Sequence, residues 1–461
     1  MTANPPPTSA QVVICGAGIA GISAAYHLAV RHGLREVLLV DPLPPLSLTS
    51  DKSSECYRNW WPGPGDAMVA LMNRSIDLLE DLAEESGDIF HLTRRGYLYA
   101  TADYAKIPGM IQAAQNISAL CAGPLRLHTG SPGDPPYQPA YAHGYQDQPD
   151  GADLLLDSTL LQQHFPCLSE QAIAALHVRR AGWFSGQQLG SYLLDQARQH
   201  GVRLLRGKIE AVEVRDGQVQ AVRLADRQRI LTENLVIAAG PLLPRLAALV
   251  GLELPVYNEL HLKVSFRDSL GIVPRNAPLL IWDDPQQLPW TSAERQLLAE
   301  EPEGQTLLGQ LPSGAHTRPE GGTDADILLM LWAYHTTRLE PAWPIPGDPF
   351  YADVVLRGLS SMLPGLRAYF EHAPRPYIDG GYYTRTPENR PLIGPLPVRG
   401  AYLIGALSGF GLMSACAAGE LLALHVTEGK LPPYAPAFRL ERYQDTEYME
   451  SISQVEDSGQ L

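Results

Sequence analysis

The stretch Gln11-Val-Val-Ile-Cys-Gly-Ala-Gly-Ile-Ala-Gly21 joins a short apolar run to three glycines in the spacing GxGxxG. The apolar run has the length of a buried β-strand, and residues 23–31 have helical spacing. Gly16 permits a tight turn, Gly18 lets the backbone approach a pyrophosphate, and Gly21 lets the helix pack closely on the strand. Because the N–H groups at a helix start bind phosphates, the stretch predicts a dinucleotide-binding strand-turn-helix unit.

A second apolar run, residues 36–40, follows this unit and ends in Asp41. A carboxylate about twenty residues beyond the motif accepts hydrogen bonds from the ribose hydroxyls of adenosine, and it disfavours the 2′-phosphate of NADP. The residues predicted to hold this end of the dinucleotide are Gly16, Gly18, Ile19, Ala20, Gly21 and Asp41.

The composition is that of a folded chain of more than one domain. The 461 residues are 45% hydrophobic and 18% charged, and 50 acidic residues against 35 basic ones give a net charge of −15. An acidic chain without a basic cluster argues against a nucleic-acid partner. Five cysteines without CxxC or Cys/His spacing predict reduced thiols, a cytoplasmic location and no metal site.

Two long apolar stretches, residues 12–30 and 402–426, are interpreted as buried strand-turn-helix units, because both are rich in small residues. No membrane span is therefore expected. The proline-rich residues 1–10 have no basic residue, so we expect a short disordered lead and no signal peptide.

Three distant segments exceed what a nicotinamide enzyme needs, and they favour a flavin. Residues 189–224 predict a helix, a strand and a hairpin that turns at Asp216-Gly217. Residues 234–240 predict a strand that runs into a glycine. Residues 400–405 predict a strand that opens through a Gly-rich loop into an apolar helix ending near Val426.

Together these segments give the chain a resemblance to the FAD-dependent D-amino-acid oxidase superfamily, which contains sarcosine oxidases, glycine oxidases and dimethylglycine dehydrogenases. The resemblance covers most of the chain and rests on Gly16 to Gly21 with Asp41, Leu-Val-Ile-Ala-Ala-Gly240, the segment 383–394, and Gly405 to Gly411, in the family's order. It implies an α/β fold, with a Rossmann-like FAD-binding domain of the glutathione-reductase type and an inserted antiparallel-sheet α+β substrate domain.

The resemblance also implies a discontinuous domain division. The predicted parts are an FAD-binding domain over 7–87, 152–255 and 377–443, a substrate domain over 88–151 and 256–376, and a flexible acidic tail over 444–461. Residues 285–322 are interpreted as a polar insertion, and whether it is a lid or an interface stays open.

The family's FAD contacts carry over to matching positions of this sequence. These are Ser50, Lys52, Ser53 and Ser54 in the loop around the flavin, Ile209 at the adenine, Ala239 and Gly240 at the pyrophosphate, and Gly409, Phe410, Gly411 and Leu412 at the flavin pyrimidine. The last set has a physical reason, since N–H groups at a helix start stabilise the negative charge of reduced flavin.

At three positions the sequence differs from the family, and these differences bear on FAD attachment and on the electron acceptor. The flavin-linking cysteine of monomeric sarcosine oxidases matches Gly381, so FAD is predicted to bind noncovalently. The lysine used for oxygen activation matches Leu331, and a carboxylate-binding lysine matches Met413. Both positions are apolar here, which favours a dehydrogenase that passes electrons to a quinone or a protein, with O₂ left open as acceptor.

The candidate catalytic residues are Tyr383, Arg385, His335 and Arg58. Tyr383 and Arg385 are two apart in a predicted strand and therefore share a face, where Arg385 could clamp a carboxylate. The carboxylate-binding arginine of glycine oxidases matches Tyr383, so the anchor has moved or is absent. Weaker pocket candidates are His261, His316, Arg318, Trp60, Trp61 and Tyr382.

The sequence thus predicts an FAD-dependent oxidoreductase that oxidises the CH–NH bond of a small secondary amine or amino acid by hydride transfer to flavin N5. One alternative is a 2-hydroxy-acid dehydrogenase on the same fold, in which a histidine acts as base. Another is a non-catalytic flavoprotein that serves in assembly or electron transfer.

Overall fold

The structure is a computed structural model that describes residues 8–322 and 325–452, and those residues form twenty strands and eleven α-helices. The strands are β1 Val12–Cys15, β2 Val37–Asp41, β3 Cys56–Arg58, β4 Tyr97–Thr101, β5 Leu125–His128, β6 Ala152–Leu155, β7 Ala174–Val178, β8 Ala181–Trp183, β9 Arg203–Arg206, β10 Ile209–Arg215, β11 Gln218–Leu224, β12 Arg229–Leu231, β13 Leu235–Ile237, β14 Tyr257–Arg267, β15 Leu279–Trp282, β16 Ala315–Glu320, β17 Ile327–Leu331, β18 Tyr377–Arg385, β19 Leu392–Pro395 and β20 Ala401–Gly405. The helices are α1 Ile19–Tyr26, α2 Ala67–Ser86, α3 Ile107–Ile117, α4 Ser158–His164, α5 Gly186–Gln199, α6 Leu243–Ala247, α7 Ser292–Glu300, α8 Pro302–Thr306, α9 Tyr351–Met362, α10 Gly411–Val426 and α11 Thr446–Ile452.

A six-stranded sheet in the order β19-β20-β13-β1-β2-β9 forms the first domain, and its strands are parallel except β19. The sheet is covered on both faces. Val12 and Ile14 of β1 lie in one core with α1, α2 and α10. Val13 lies in another with β11 and α6. A parallel sheet buried on both faces needs apolar residues at consecutive positions, which the opening stretch supplies.

A nine-stranded sheet in the order β18-β14-β17-β16-β15-β4-β7-β6-β5 forms the second domain. Most neighbours are antiparallel, and the pairs β15–β4 and β5–β6 are parallel. Helix α9 buries Val354, Val355 and Leu359 in the core beside this sheet. The predicted combination of a Rossmann-like sheet and an antiparallel-sheet domain is confirmed.

Three strands lie in a different sheet from the one that the predicted division gave them. Strands β6 and β7 fall within 152–255 and β18 within 377–443, yet all three belong to the nine-stranded sheet. In the registers, Leu98 pairs with His177, and His261 pairs with Gly381. The apolar pattern of a strand indicates that it is buried but not which sheet it joins, because pairing is a long-range property.

The segment 285–322 is largely part of the second domain's core. It contains α7 and α8, and its strand β16 lies between β15 and β17 in the middle of the large sheet. Thr317 and Arg318 of that strand are fully buried. The interpretation of the whole segment as a polar insertion is therefore corrected.

Both chain ends lie partly outside the described residues. The described part of the chain does not include residues 1–7 of the predicted lead or 453–461 of the predicted tail. Within it, Ser9 forms a β-bridge with Leu231. The tail forms helix α11 over residues 446–452, and the Tyr448 hydroxyl donates to Glu388 at 3.1 Å. Among the described residues, no helix combines the length and hydropathy that crossing a membrane requires.

Candidate active site

The turn between β1 and α1 depends on two glycines. Gly16 has a φ of +115°, and a Cβ on it would lie 2.3 Å from the Ala238 carbonyl oxygen. A Cβ on Gly21 would lie 2.0 Å from the Gly16 carbonyl oxygen. Helix α1 begins after Gly18, which has no side chain to cap it. The Ile19 N–H donates to Ser50 Oγ at 3.0 Å, and the next N–H groups of the first turn are available to a group beyond the helix.

A cavity of about 430 Å³ begins at this turn and extends to the start of α10. It follows the carboxyl ends of β1, β2 and β13, which is the edge where nucleotides bind in parallel α/β sheets. Helix starts lie at both ends of it, so the cavity offers N–H groups to two anionic parts of one extended molecule.

Asp41 lies at the β2 end of the large cavity, and backbone hydrogen bonds fix its carboxylate. Its Oδ2 accepts from the Ala17 N–H at 2.7 Å and its Oδ1 from the Leu43 N–H at 2.8 Å. Each carboxylate oxygen has two lone pairs, so both oxygens retain the capacity to accept from ribose hydroxyls.

The loop from β20 to α10 forms the other end of the large cavity. Ala406 and Ser408 have positive φ values of 51° and 45°, which non-glycine residues seldom adopt. The Ser408 N–H donates to the Thr384 carbonyl oxygen at 3.0 Å and ties the loop to β18. Helix α10 has Phe410 as its N-cap, without a side-chain cap hydrogen bond. Its first turn therefore presents N–H groups at the cavity wall.

A second cavity, of about 180 Å³, adjoins the first, and Tyr383 and Gly409 line both. Its walls are mainly aromatic, and its polar lining includes one arginine and three histidines. The aromatic lining residues are Trp61, Tyr97, Trp332, Tyr351, Tyr383 and Phe410, and the charged or titratable ones are Arg58, His261, His316, His335 and Asp348.

The family model described as DAO, FAD dependent oxidoreductase, matches residues 11–424. The chain belongs to this family. The FAD cofactor predicted from the sequence is thereby confirmed, and the large cavity of this DAO family member fits the group: its glycine cradle admits no side chain at Gly16, and helix starts lie at both its ends.

Relatives of this DAO family member include amino-acid enzymes. The D-amino acid dehydrogenase of Cereibacter sphaeroides is 28% identical over 273 residues, which make up 54% of this chain and 62% of that relative. The match thus spans less than two thirds of the relative. Two solved structures share the fold. The L-proline dehydrogenase from P. horikoshii has a TM-score of 0.72 at 18% identity and covers 95% of this chain and 99% of its own. The glycine oxidase from Geobacillus kaustophilus has a TM-score of 0.70 at 17% identity, and the match covers 94% of this chain and 98% of the glycine oxidase.

Most residues predicted to contact FAD line the large cavity. These are Gly16, Gly18, Ile19, Ala20, Asp41, Ser50, Ser53, Ile209, Ala239, Gly240, Gly409, Gly411 and Leu412. Gly21 instead serves helix packing, Ser54 and Phe410 line the small cavity, and Lys52 lines neither. The Lys52 ammonium pairs with Asp51 at 2.6 Å and Asp379 at 2.9 Å, so its side chain is engaged elsewhere.

Sequence reasoning missed several cavity-lining segments, because no local motif marks them. The missed residues include Pro42, Leu43, Pro44, Leu46, Ser47, Leu48, Thr49, Gly207, Lys208, Arg245, Leu246, Leu249 and Thr384. Arg245, an exposed residue of α6, could have been found from one signal, since a cation shortly after the glycine that follows β13 is suited to a diphosphate.

Arg58 is a buried cation in the wall of the small cavity. It ends β3 and is 5% exposed, and its Nε donates to the Trp60 carbonyl oxygen at 3.1 Å. The guanidinium lies 4.6 Å from the Trp61 ring centre and 5.7 Å from that of Tyr97. These rings hold the cation in place.

Tyr383 and Arg385 lie on β18 opposite β14, but only Tyr383 reaches the cavities. Burial raises the pKa of Tyr383 to about 12, so its hydroxyl is neutral. Arg385 lines neither cavity, and its Nη1 donates to Glu259 Oε2 at 2.8 Å. His261 stacks on Tyr383, with ring centres 4.0 Å apart.

The remaining histidines differ in their exposure to solvent. His335 lies at the cavity rim with its side chain 56% exposed, 3.8 Å from Asp348. His316 Nδ1 donates to the Gly314 carbonyl oxygen at 2.8 Å, which requires the proton on Nδ1. Burial lowers the pKa of His316 to about 4. Both histidines line the small cavity, as predicted from their sequence segments.

Three further predicted residues are held by core packing, ion pairs or hydrogen bonds. Arg318 is fully buried, donates to the Ser54 carbonyl oxygen at 2.7 Å and pairs with Glu320, and it lines neither cavity. Trp60 lies in the hydrophobic core. Tyr382 lines the large cavity, where its hydroxyl donates to the Ala342 carbonyl oxygen at 3.1 Å.

Proposed function

We propose that this protein oxidises the CH–NH bond of an amino acid or small secondary amine by hydride transfer to flavin N5. The observation that carries the proposal is a small aromatic cavity with a buried arginine, which meets the FAD cavity at Tyr383 and Gly409. Its volume of about 180 Å³ is below that of drug-sized ligand sites, which suits a substrate of a few non-hydrogen atoms.

Arg58 is the residue we propose as carboxylate anchor. Its planar guanidinium can bind a carboxylate in a bidentate manner, and burial among aromatic rings strengthens such a pair. Arg385, the first candidate from the sequence, is engaged with Glu259, so we assign it a positioning role. The proposed anchor thus comes from the end of β3 rather than from β18.

Other residues orient the substrate and exclude water. FAD, when bound, supplies the hydride-accepting ring. Tyr383 lies at the junction of the cavities, where its neutral ring holds the reacting carbon between Arg58 and the larger cavity. The aromatic wall excludes water, and the N–H groups that begin α10 stabilise negative charge at the junction.

The related proteins support an amino-acid substrate. The relative in Cereibacter sphaeroides is named a D-amino acid dehydrogenase, and the two structures of the same fold are an L-proline dehydrogenase and a glycine oxidase. We further infer noncovalent FAD, since Gly381 stands at the linking position. We infer an acceptor other than O₂, since apolar Leu331 and Met413 line the small cavity.

Anaerobic reduction of the flavin tests the proposal. The purified holoenzyme is mixed with D-alanine, L-proline, glycine, sarcosine and D-lactate, and the loss of the flavin absorbance is followed. We expect bleaching by at least one of the four amines and none by D-lactate. Bleaching by D-lactate alone would instead support the hydroxy-acid dehydrogenase, and no bleaching by any compound would support a non-catalytic flavoprotein.

Acid precipitation of the same protein tests the mode of attachment. We expect the yellow colour in the supernatant, because noncovalent FAD dissociates when the fold is lost. A yellow pellet would show a covalent link at a residue other than Gly381.

A further inference from the structure

A chain of polar groups lies behind the small cavity and ends at a histidine in its wall. Arg385 Nη1 lies 2.8 Å from Glu259 Oε2, and the same oxygen lies 3.4 Å from His261 Nε2. Glu259 is 7% exposed, so this carboxylate is largely removed from solvent. Only His261 of the three lines the cavity.

The hydrogen bond to Glu259 fixes the tautomer of His261. An ionised carboxylate can only accept, so Nε2 carries the proton and Nδ1 keeps its lone pair. Within residues 8–322 and 325–452, Nδ1 has no hydrogen-bond partner. Stacking on Tyr383, at an interplanar angle of 15°, holds the ring plane. The imidazole is thus a fixed acceptor beside the proposed substrate position.

Charges from several elements surround His261. They are Glu259 on β14 itself, Tyr383 and Arg385 on β18, His316 on β16, Arg58 on β3, Tyr351 on α9, and His335 and Asp348 at the rim. Burial lowers the pKa of His261 below its ordinary value, although the hydrogen bond to Glu259 opposes this. Burial alone would raise the pKa of Glu259, but hydrogen bonds from His261 and Arg385 bring it to about 2. The histidine is therefore neutral and the glutamate anionic at neutral pH.

This arrangement is suited to the oxidation of an amine. An amino acid arrives with a protonated nitrogen, and that nitrogen must lose a proton before its lone pair can assist hydride loss from the neighbouring carbon. We propose that His261 accepts this proton and that Glu259, held by Arg385, stabilises the imidazolium that forms. This inference rests on the proposed function, and it assigns His261 as the general base of the site.

The step is balanced without a further reactant. The N–H bond of the substrate ammonium breaks, its electron pair stays on nitrogen, and the proton moves to His261 Nδ1. The hydride then leaves the carbon for the flavin, which is the proposed reaction itself. Glu259 is a positioning residue, because it acts only through His261.

Stopped-flow measurement of anaerobic flavin reduction as a function of pH tests the base. The substrate is the amine that bleaches the wild type fastest among the four above, and the variants are His261→Gln and the exposed control His372→Gln. We expect His261→Gln to lower the rate about 10²-fold at neutral pH. The rate should recover to within about 3-fold of wild type near pH 10, where the free amine loses its proton without help. Glu259→Gln should show a smaller loss with the same recovery, and His372→Gln no change.

A second measurement does not depend on turnover. The probe is 2-aminoisobutyrate, an amino acid without a Cα–H, added to holoenzyme labelled with ¹⁵N-histidine. We expect one imidazole signal, absent from His261→Gln, to show a neutral ring with the proton on Nε2 and an unprotonated Nδ1 when the probe binds at neutral pH. Binding of the probe to His261→Gln, followed by the flavin spectrum, should remain within about 3-fold of wild type at neutral pH.

Two results would overturn the assignment. One is a loss of rate in His261→Gln by the same factor at every pH, which indicates a structural role; the other is a His261 signal that shows the proton on Nδ1 with the probe bound. If no amine reduces the wild type, the proposed function fails and this inference fails with it. If an amine reduces the wild type but His261→Gln has the same pH profile as the wild type, the inference about His261 fails and the proposed function stands.

Discussion

At the scale of single residues, the feature that distinguishes the small cavity is a buried cation in its wall. Arg58 lies between Trp61 and Tyr97 and is 5% exposed. Holding a guanidinium in such a site has a desolvation cost that a bound carboxylate offsets. Arg58 lines the small cavity, whereas Arg385 lines neither cavity and pairs with Glu259, and we therefore propose the first as anchor and the second as a positioning residue.

Removal of the Arg58 charge tests the anchor. We expect Arg58→Met to lower kcat/KM for the best amine about 30-fold or more, mainly through KM, because truncating one partner of a buried charge pair costs about 2–5 kcal/mol. Arg58→Lys should recover part of the loss. Steady-state kinetics measure these effects. The control variant is Arg198→Met, which replaces an exposed arginine of α5. An unchanged KM in a variant that retains its flavin would exclude Arg58 as anchor.

At the scale of elements, the two ends of the FAD cavity are joined by one helix contact. The Ser23 hydroxyl of α1 donates to the Ala415 carbonyl oxygen of α10 at 2.7 Å. A Cβ on Gly419 would lie 2.3 Å from that hydroxyl oxygen and 2.7 Å from the Ser23 carbonyl carbon. Close packing at Gly419 therefore contributes to the distance between the helix starts at the two ends of the large cavity.

Gly419→Ala should disturb this contact. We expect a loss of about 1–3 kcal/mol in the free energy of unfolding, the usual cost of overpacking a core, together with a lower FAD content after gel filtration. Urea denaturation and the flavin-to-protein absorbance ratio measure the two effects. Gly109→Ala in α3 is the matched control, because a Cβ there meets no atom within 4 Å and alanine favours a helix. Equal stability of the two variants would contradict the packing argument.

At the scale of the whole molecule, buried histidines link stability to pH. Burial lowers the pKa of His27 to about 4 and that of His177 to about 3, from an ordinary 6.5. The two side chains are 2% and 1% exposed. Their folded-state pKa values are depressed, so below pH 6.5 the unfolded chain binds more protons than the folded one, and their contribution to stability falls as the solution becomes acidic.

The acid side of the stability profile tests this linkage. We expect the free energy of unfolding to decrease between pH 6.5 and about 4, with each such histidine contributing up to about 1.4 kcal/mol per pH unit. Urea denaturation at several pH values should show a shallower slope for His27→Gln than for wild type. His372→Gln, which is exposed, should keep the wild-type slope. Identical slopes for all three proteins would show that His27 protonates equally in both states.

The sequence by itself determined the features that depend on neighbouring residues. The turn at Gly16 follows from the positive φ that glycine tolerates, and the hairpin of β10 and β11 turns at Asp216 and Gly217 as predicted, with φ values of 51° and 74°. These patterns are local, because sterics and backbone hydrogen bonding within a few residues dictate them. Of the cavity-lining residues, those in the β1–α1 turn, at Ala239 and Gly240, and at the start of α10 could be predicted for the same reason, since they lie in such turns.

Only the tertiary structure decided which distant residues meet. Glu259 and Arg385 are 126 positions apart, and no local pattern indicates their ion pair, although Glu259 and His261 share a face of β14. The sequences of β6, β7 and β18 do not indicate which sheet these strands join, and the register of the large sheet assigns them. The physical reason is that strand pairing depends on packing and burial summed over the whole sheet, which a single strand's sequence does not contain.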